Sequence, residues 1–112
     1  MVAYYLPMDD VFKALADASR RLLLDRLHSR PGQTLGELCR GLEMSRQAVS
    51  KHLAILEAAN LVATVKRGRE KFHYLNPVPI HEIADRWIGK YQHAPLDALS
   101  ALKSRLEEDK DA

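Results

Sequence analysis

The sequence has 112 residues, 46% hydrophobic and 29% charged, with a formal net charge of +2 and one cysteine. That length fits one domain with a core of its own and leaves no room for a second, and the balance excludes a disordered or membrane-spanning chain, no apolar run approaching the ~18 residues a membrane helix needs. The start, MVAYYLPMDD, lacks the basic-then-apolar pattern of a secretory signal, and the lone Cys39 excludes an internal disulfide, so a cytoplasmic protein with no membrane partner is expected.

Residues 8–16, MDDVFKALA, place Val11, Phe12 and Leu15 at helical spacing, with Asp9 and Asp10 where a helix dipole favours acids. A short first helix is predicted there. Asp17 caps a second, ASRRLLLDRLHS, whose Leu23, Leu24 and Leu27 form a core stripe before RPG stops it. Thr34 followed three residues later by Glu37 is a capping-box pattern, and Leu35, Leu38 and Leu42 recur at helical intervals, predicting a third helix over about 34–42. Gly41 loosens its end, Glu43 and Met44 make a tight connection, and Ser45 caps a fourth helix, SRQAVSKHLAILEA, over 45–58. Two short helices so joined read as a helix-turn-helix.

Asn60 ends that helix, and 61–76 reads as a hairpin: β-branched LVATVKR, a turn at Gly68, then KFHYLN. Pro77 and Pro79 break the strand. Pro79 suits a helix start, and Ile80, Ile83, Trp87 and Tyr91 share one face of a fifth helix reaching about Gln92. Pro95 opens or kinks a last segment with Leu99, Leu102 and Leu106 at spacings of three and four, and the acidic end EEDKDA reads as frayed. The expected class is mainly α with a small β-hairpin: four helices, the hairpin, then two helices, in a single domain over 1–112.

Charge is unevenly spread. Residues 1–39 are neutral, 40–74 carry a net +4 and 75–112 a net −2, so the basic footprint sits mid-chain, where a polyanion would bind. On helix 45–58, with Val49 as zero and about 100° per residue, Leu53 and Leu56 lie within about 40° of it and define a buried face. Gln47, Ser50, Lys51 and Ala54 cluster opposite, with Arg46 at the edge. That strip suits a DNA major groove, because Arg pairs with guanine, Gln with adenine, and Lys or Ser with phosphates or base edges. A polar face on a surface helix is also common without any ligand. The hairpin tip, with Lys66, Arg67, Arg69 and Lys71 around Gly68, adds a second cationic surface directed at phosphates or a minor groove. Taken alone, such a tip serves solubility and edge protection. Helix and tip together point to duplex DNA.

The segments VFKALADASRRLLLDRL, LGELCRGLEMSRQAVSKHLAILEAANLV and KRGREKFHYLN resemble the ArsR family of winged helix-turn-helix repressors over about residues 8–76. LADASRR and SRQAVSKHLAILEAANLV carry most of that likeness, and RWIGKYQHAPLDALSALKSRLEE is similar to a metal-independent branch whose terminal helices build the dimer. The resemblance implies a bacterial homodimeric repressor on a near-palindromic operator, with a DNA-binding core of about 18–76 and dimerisation helices at about 8–16 and 79–108. It places Ser45, Arg46, Gln47, Ser50 and Lys51 on the recognition helix and Arg67, Gly68 and Arg69 on the wing. His52 falls on the same helix, but only about 60° from its apolar axis, so packing or an internal hydrogen bond competes with base contact.

The residues of the family's sensing sites are incomplete in this chain. Where the family's metal motif reads Cys-Val-Cys-Asp-Leu-Cys, the chain reads Thr34-Leu35-Gly36-Glu37-Leu38-Cys39, one thiol where several are needed. A buried Cys39 is preferred to a redox switch. His81, Asp85, His93 and Asp97 invite comparison with a second family site, but Pro79 and Pro95 spoil its spacing, so no metal and no cofactor is expected. Trp87, Tyr91, Ile80 and Ile83 suit a core or dimer interface, with a ligand pocket as the alternative. Tyr4 and Tyr5 are candidates for packing across a dimer by family analogy. His28 and His73 have no partner that sequence reveals. A protein-binding adaptor would use the same surface without a cationic tip, and an enzyme would need a nucleophile with its base, a carboxylate pair or a phosphate-cradling loop, none of which is evident.

Overall fold

The computed structural model describes residues 2–91 and 94–111, with side chains over 8–91 and 98–108. By their internal contacts the residues group into two units, Met1–Ile80 and His81–Ala112.

In the first unit α1 (Val2–Leu15) starts earlier than the start predicted at position 8, and it runs through Pro7. A proline at this position removes the amide that would bond back to residue 3 and crowds that carbonyl, yet the helix continues on either side. Helix α2 (Ala18–Ser29) coincides with the predicted segment, and the Asp17 side chain accepts from the backbone N–H groups of Ser19 and Arg20. Helix α3 (Leu35–Cys39) opens on the Thr34–Glu37 capping box and is shorter than expected. It stops at Cys39 because Arg40 is extended and Gly41 is left-handed at φ +74, a conformation glycine takes without a Cβ clash. Ser45 caps α4 (Arg46–Ala58) by accepting from the Ala48 N–H at 3.1 Å.

Helix α4 ends in a Schellman motif. Asn60 is left-handed at φ +62, its N–H bonds to the Glu57 carbonyl at 3.0 Å, and the Leu61 N–H bonds to Leu56 at 2.9 Å. Leu56 and Leu61 are both fully buried, supplying the apolar contact that accompanies this cap. Strand β1 (Val62–Arg67) follows at once and pairs antiparallel with β2 (Glu70–Leu75), Val62 opposite Leu75 and Arg67 opposite Glu70. The two-residue connection, Gly68 and Arg69, has φ +62 at glycine only, the pattern of a II′ hairpin turn.

Behind the hairpin, Gln33 forms a β-bridge with His73, the His73 N–H donating to the Gln33 carbonyl at 2.8 Å and the Gly32 N–H to the His73 carbonyl at 2.9 Å. The core contains Leu23 and Leu27 from α2, Leu38 from α3, Val49 and Leu56 from α4, and Leu61, all fully buried. Three α2 arginines close helix ends around it. The Arg20 guanidinium donates to the Ala14 and Lys13 carbonyls at 2.8 and 3.0 Å, Arg21 to Leu15 at 2.6 Å, and Arg26 to Leu38 and Arg40 at 3.0 and 2.6 Å. Cations at helix carboxyl ends satisfy orphan carbonyls and oppose the dipole.

The fifth helix departs from its predicted single run. It is α-helical over α5 (Val78–Ile83), widens to a π turn over Ala84–Ile88 and tightens to a 3-10 turn over Gly89–Tyr91. The Gly89 N–H reaches back five residues to the Ala84 carbonyl, so the expected regular face breaks after Ile83. Trp87 and Tyr91 nevertheless stack, with ring centroids 6.3 Å apart. In the second unit α6 (Ala94–Asp111) takes Pro95 into its first turn, where a missing amide costs nothing. No helix among the described residues is long and apolar enough to cross a membrane.

Candidate nucleic-acid interface

Ser45 and the α4 strip come first. The Ser45 hydroxyl accepts the cap hydrogen bond, so it holds the helix start and retains its proton and one lone pair for a ligand. Val49, Leu53 and Leu56 are buried, and Arg46, Gln47, Ser50, Lys51 and Ala54 are exposed. His52 is half-buried, and its Nδ1 lies 3.4 Å from the Arg20 guanidinium.

On the wing Lys66, Arg67, Gly68, Arg69 and Lys71 are exposed. Lys66 and Lys71 stand opposite each other in the ladder, a like-charge pairing that is unfavourable by itself. Lys71 instead pairs with Glu57 in the last turn of α4, Nζ to Oε1 at 3.0 Å. Among the described residues, nothing beyond its two chain neighbours comes within 4 Å of where a Cβ would stand on Gly68, so the tip backbone is open to a close approach.

Helix and wing share one groove. Arg46 and Ser50 from α4, Arg69 and Lys71 from the wing and the start of α3 line a depression of about 420 Å³. Glu57 and Glu70 also reach it. Arg46 of α4 and Arg69 and Lys71 of the wing therefore border one depression, so cations from the helix and from the wing lie near each other.

Two carboxylates that build this unit are held below the usual carboxylate range. For Asp17 the main cause is the hydrogen bond from the Arg20 backbone, aided by that from Ser19 and by the charge of Arg20. For Glu37 the Thr34 backbone and hydroxyl dominate, with Arg30 and Arg40 adding charge and Arg30 pairing at 2.7 Å.

The partners of His52, His73 and Lys71 carry no local sequence signal. His73, 4% exposed, contacts the Gln33 carbonyl through Nδ1 at 2.9 Å, and the Gln33 amide caps α2 by donating to the Arg26 and Arg30 carbonyls. Cys39 is half-buried. Among the described residues no three His, Cys, Asp or Glu side chains gather as a metal site. His81 and Asp85 are exposed, His93 lies outside the described residues, and so do the side chains of Tyr4, Tyr5 and Asp97.

A capped two-helix reader followed directly by a cationic hairpin defines a winged helix-turn-helix, a class of DNA-binding module. A family model described as a helix-turn-helix domain matches residues 15–65, and 86 residues are 40% identical to the uncharacterized HTH-type transcriptional regulator YuzN of Bacillus subtilis (strain 168), covering 71% of this chain and 94% of that one. The solved structure of an ArsR-like transcriptional regulator from Rhodococcus sp. RHA1 superimposes with a TM-score of 0.74 at 33% identity, covering 96% of this chain and 97% of that one. The chain belongs to the ArsR family of winged helix-turn-helix transcriptional regulators; it is a DNA-binding regulator, not an enzyme. The transcriptional repressor SdpR of Bacillus subtilis (strain 168) is also similar, 31% identical over 68% of this chain and 82% of its own length.

Proposed function

We propose that the protein is a cytoplasmic repressor that binds a near-palindromic operator as a homodimer. Each α4 enters a major groove, with Gln47 and Arg46 reading base edges and Ser50 and Lys51 contacting bases or phosphates. Lys66, Arg67, Gly68 and Arg69 carry the wing along the adjacent backbone, and Lys71 joins them from its pair with Glu57. The observation that carries this reading is the depression that Arg46 and Ser50 of α4 line together with Arg69 of the wing.

The dimer is formed through the terminal helices. Trp87, Ile88 and Tyr91, with Leu99, Leu102 and Leu106, are each more than half exposed in the single chain, far more apolar side chain than a monomer ordinarily leaves in water. A second copy related by a two-fold axis places the two α4 helices about one helical turn of DNA apart. Repression is supported by similarity to two repressors, SdpR and the arsenical resistance operon repressor of Escherichia coli (strain K12).

The test is recovery of bound fragments from a random duplex pool by purified protein. The expected product is an inverted repeat with half-site centres about 10 base pairs apart. Enrichment of no sequence, or of a single unrepeated half-site, overturns the reading.

A further inference from the structure

We infer that Arg20 is a positioning residue for DNA reading, holding His52 and thereby the rotation of α4, and that His52 itself contacts no base. The inference rests on the DNA-binding reading above. Arg20 is only 14% exposed at its side chain, although it carries a full charge. Four groups account for its place there: the Ala14 carbonyl at 2.8 Å, the Lys13 carbonyl at 3.0 Å, the Asp17 carboxylate at 3.8 Å and His52 Nδ1 at 3.4 Å. The first two belong to the carboxyl end of α1, the third to the cap of α2, and the fourth to the middle of α4. One rigid, planar fork therefore joins three helices, and a guanidinium keeps such geometry better than a flexible ammonium.

His52 is the only one of these partners on the reading helix. It follows Lys51 directly and lies half-buried on the flank of the strip formed by Gln47, Ser50 and Lys51. Facing a permanent cation, its Nδ1 must be the acceptor, which places the ring proton on Nε2. With Nδ1 committed to Arg20, the half-buried ring orients the helix, and Nε2–H is the one polar group it keeps. Rotation of α4 by a fraction of a turn would carry Gln47 away from its base, so this contact bears on affinity without specifying sequence.

Wild type, H52A and H52N are compared on the duplex that wild type selects, with base preference at each position and the thermal midpoint measured for each protein. Asparagine places a side-chain oxygen near the position of Nδ1 and preserves the acceptor. H52A is expected to lose about tenfold in affinity, the scale of one hydrogen bond to a charged group, with base preference unchanged at every position, and H52N is expected to regain most of the loss. Because Arg20 acts through His52, adding H52A to R20K costs no further affinity. Relaxed preference at one base in H52A makes His52 a reader and overturns the inference, as do undiminished affinity in H52A or additive losses in the double variant. Nitrogen-15 NMR of the wild-type ring gives a readout that needs neither DNA nor a stable variant: a proton on Nδ1 overturns the contact. Wild-type protein that enriches no duplex overturns the DNA reading and the positioning role with it, whereas wild-type enrichment with a failed His52 series overturns this inference alone.

Discussion

Glu57, in the last turn of α4, and Lys71, on β2, form an ion pair at 3.0 Å that ties the wing to the helix it follows. Both side chains are partly in water, so the pair contributes little to stability. Its effect is on charge. Arg69→Ala is expected to flatten the plot of log affinity against log salt by about one phosphate's worth on mixed-sequence duplex, and Lys71→Ala by less. Glu57→Gln frees Lys71 and should steepen the slope. Salt titration of the four proteins measures this, and identical slopes for wild type and Arg69→Ala would remove the wing from the interface.

Gln47 stands in the first turn of α4, exposed beside Arg46. Gln47→Ala is expected to weaken operator binding by about 1 to 3 kcal/mol and to relax preference at one base position. Competition binding against singly substituted operators checks it; an unaltered preference profile would leave Gln47 outside the reading strip.

Gly32 has φ +77, and a Cβ there would sit 3.0 Å from the Tyr74 hydroxyl and 3.2 Å from its ring. Gly32→Ala combines a strained backbone with that contact at the residue that bonds the His73 carbonyl. A loss of about 1 to 3 kcal/mol is expected in denaturant unfolding. Unchanged stability would mean that the backbone and Tyr74 accommodate a Cβ at position 32 without cost.

Asp17 and Glu37 carry lowered pKa values in the folded chain, so folding favours their ionised forms. The stability this supplies is complete above the ordinary carboxylate range, about pH 4, and disappears as pH falls below it through the folded-state values. Thermal unfolding between about pH 2.5 and 6 should show a downward limb, shallower in a combined Asp17→Asn and Glu37→Gln variant. A limb of equal steepness in that variant would assign the acid sensitivity to other groups.

Leu102→Glu places a charge among Leu99, Leu102 and Leu106, each exposed by half or more in the single chain. Sedimentation should move toward the monomer, with a parallel loss of operator affinity and little change on a half-site. A dimer of undiminished strength would remove α6 from the interface.

The parts legible in the sequence are those whose cause lies within a few residues. Asp17, Thr34 with Glu37, and Ser45 each cap the helix they were expected to cap, because the donor and acceptor are at most three residues apart. The exposed strip on α4 followed from helical geometry alone, and the turn at Gly68 from the backbone it needs. The partners of polar side chains were not legible. His52 meets Arg20 from 32 residues away and His73 meets Gln33 from 40, and a carbonyl or guanidinium at such distance leaves no pattern in composition or periodicity. The π turn after Ile83 escaped for a related reason: apolar spacing marks which side of a helix is dry, not where its hydrogen bonds lengthen.

The left-handed Asn60 leaves no slack between the last turn of the reading helix and the first strand of the wing. An elbow locked by two backbone hydrogen bonds behaves like a fixed caliper. Each added base pair turns the double helix by about 35°, so a target whose groove contact and flanking phosphates are displaced by a single step presents one of them out of reach. If α4 and the wing bind as proposed, discrimination by spacing would come from this joint, at positions that no side chain touches.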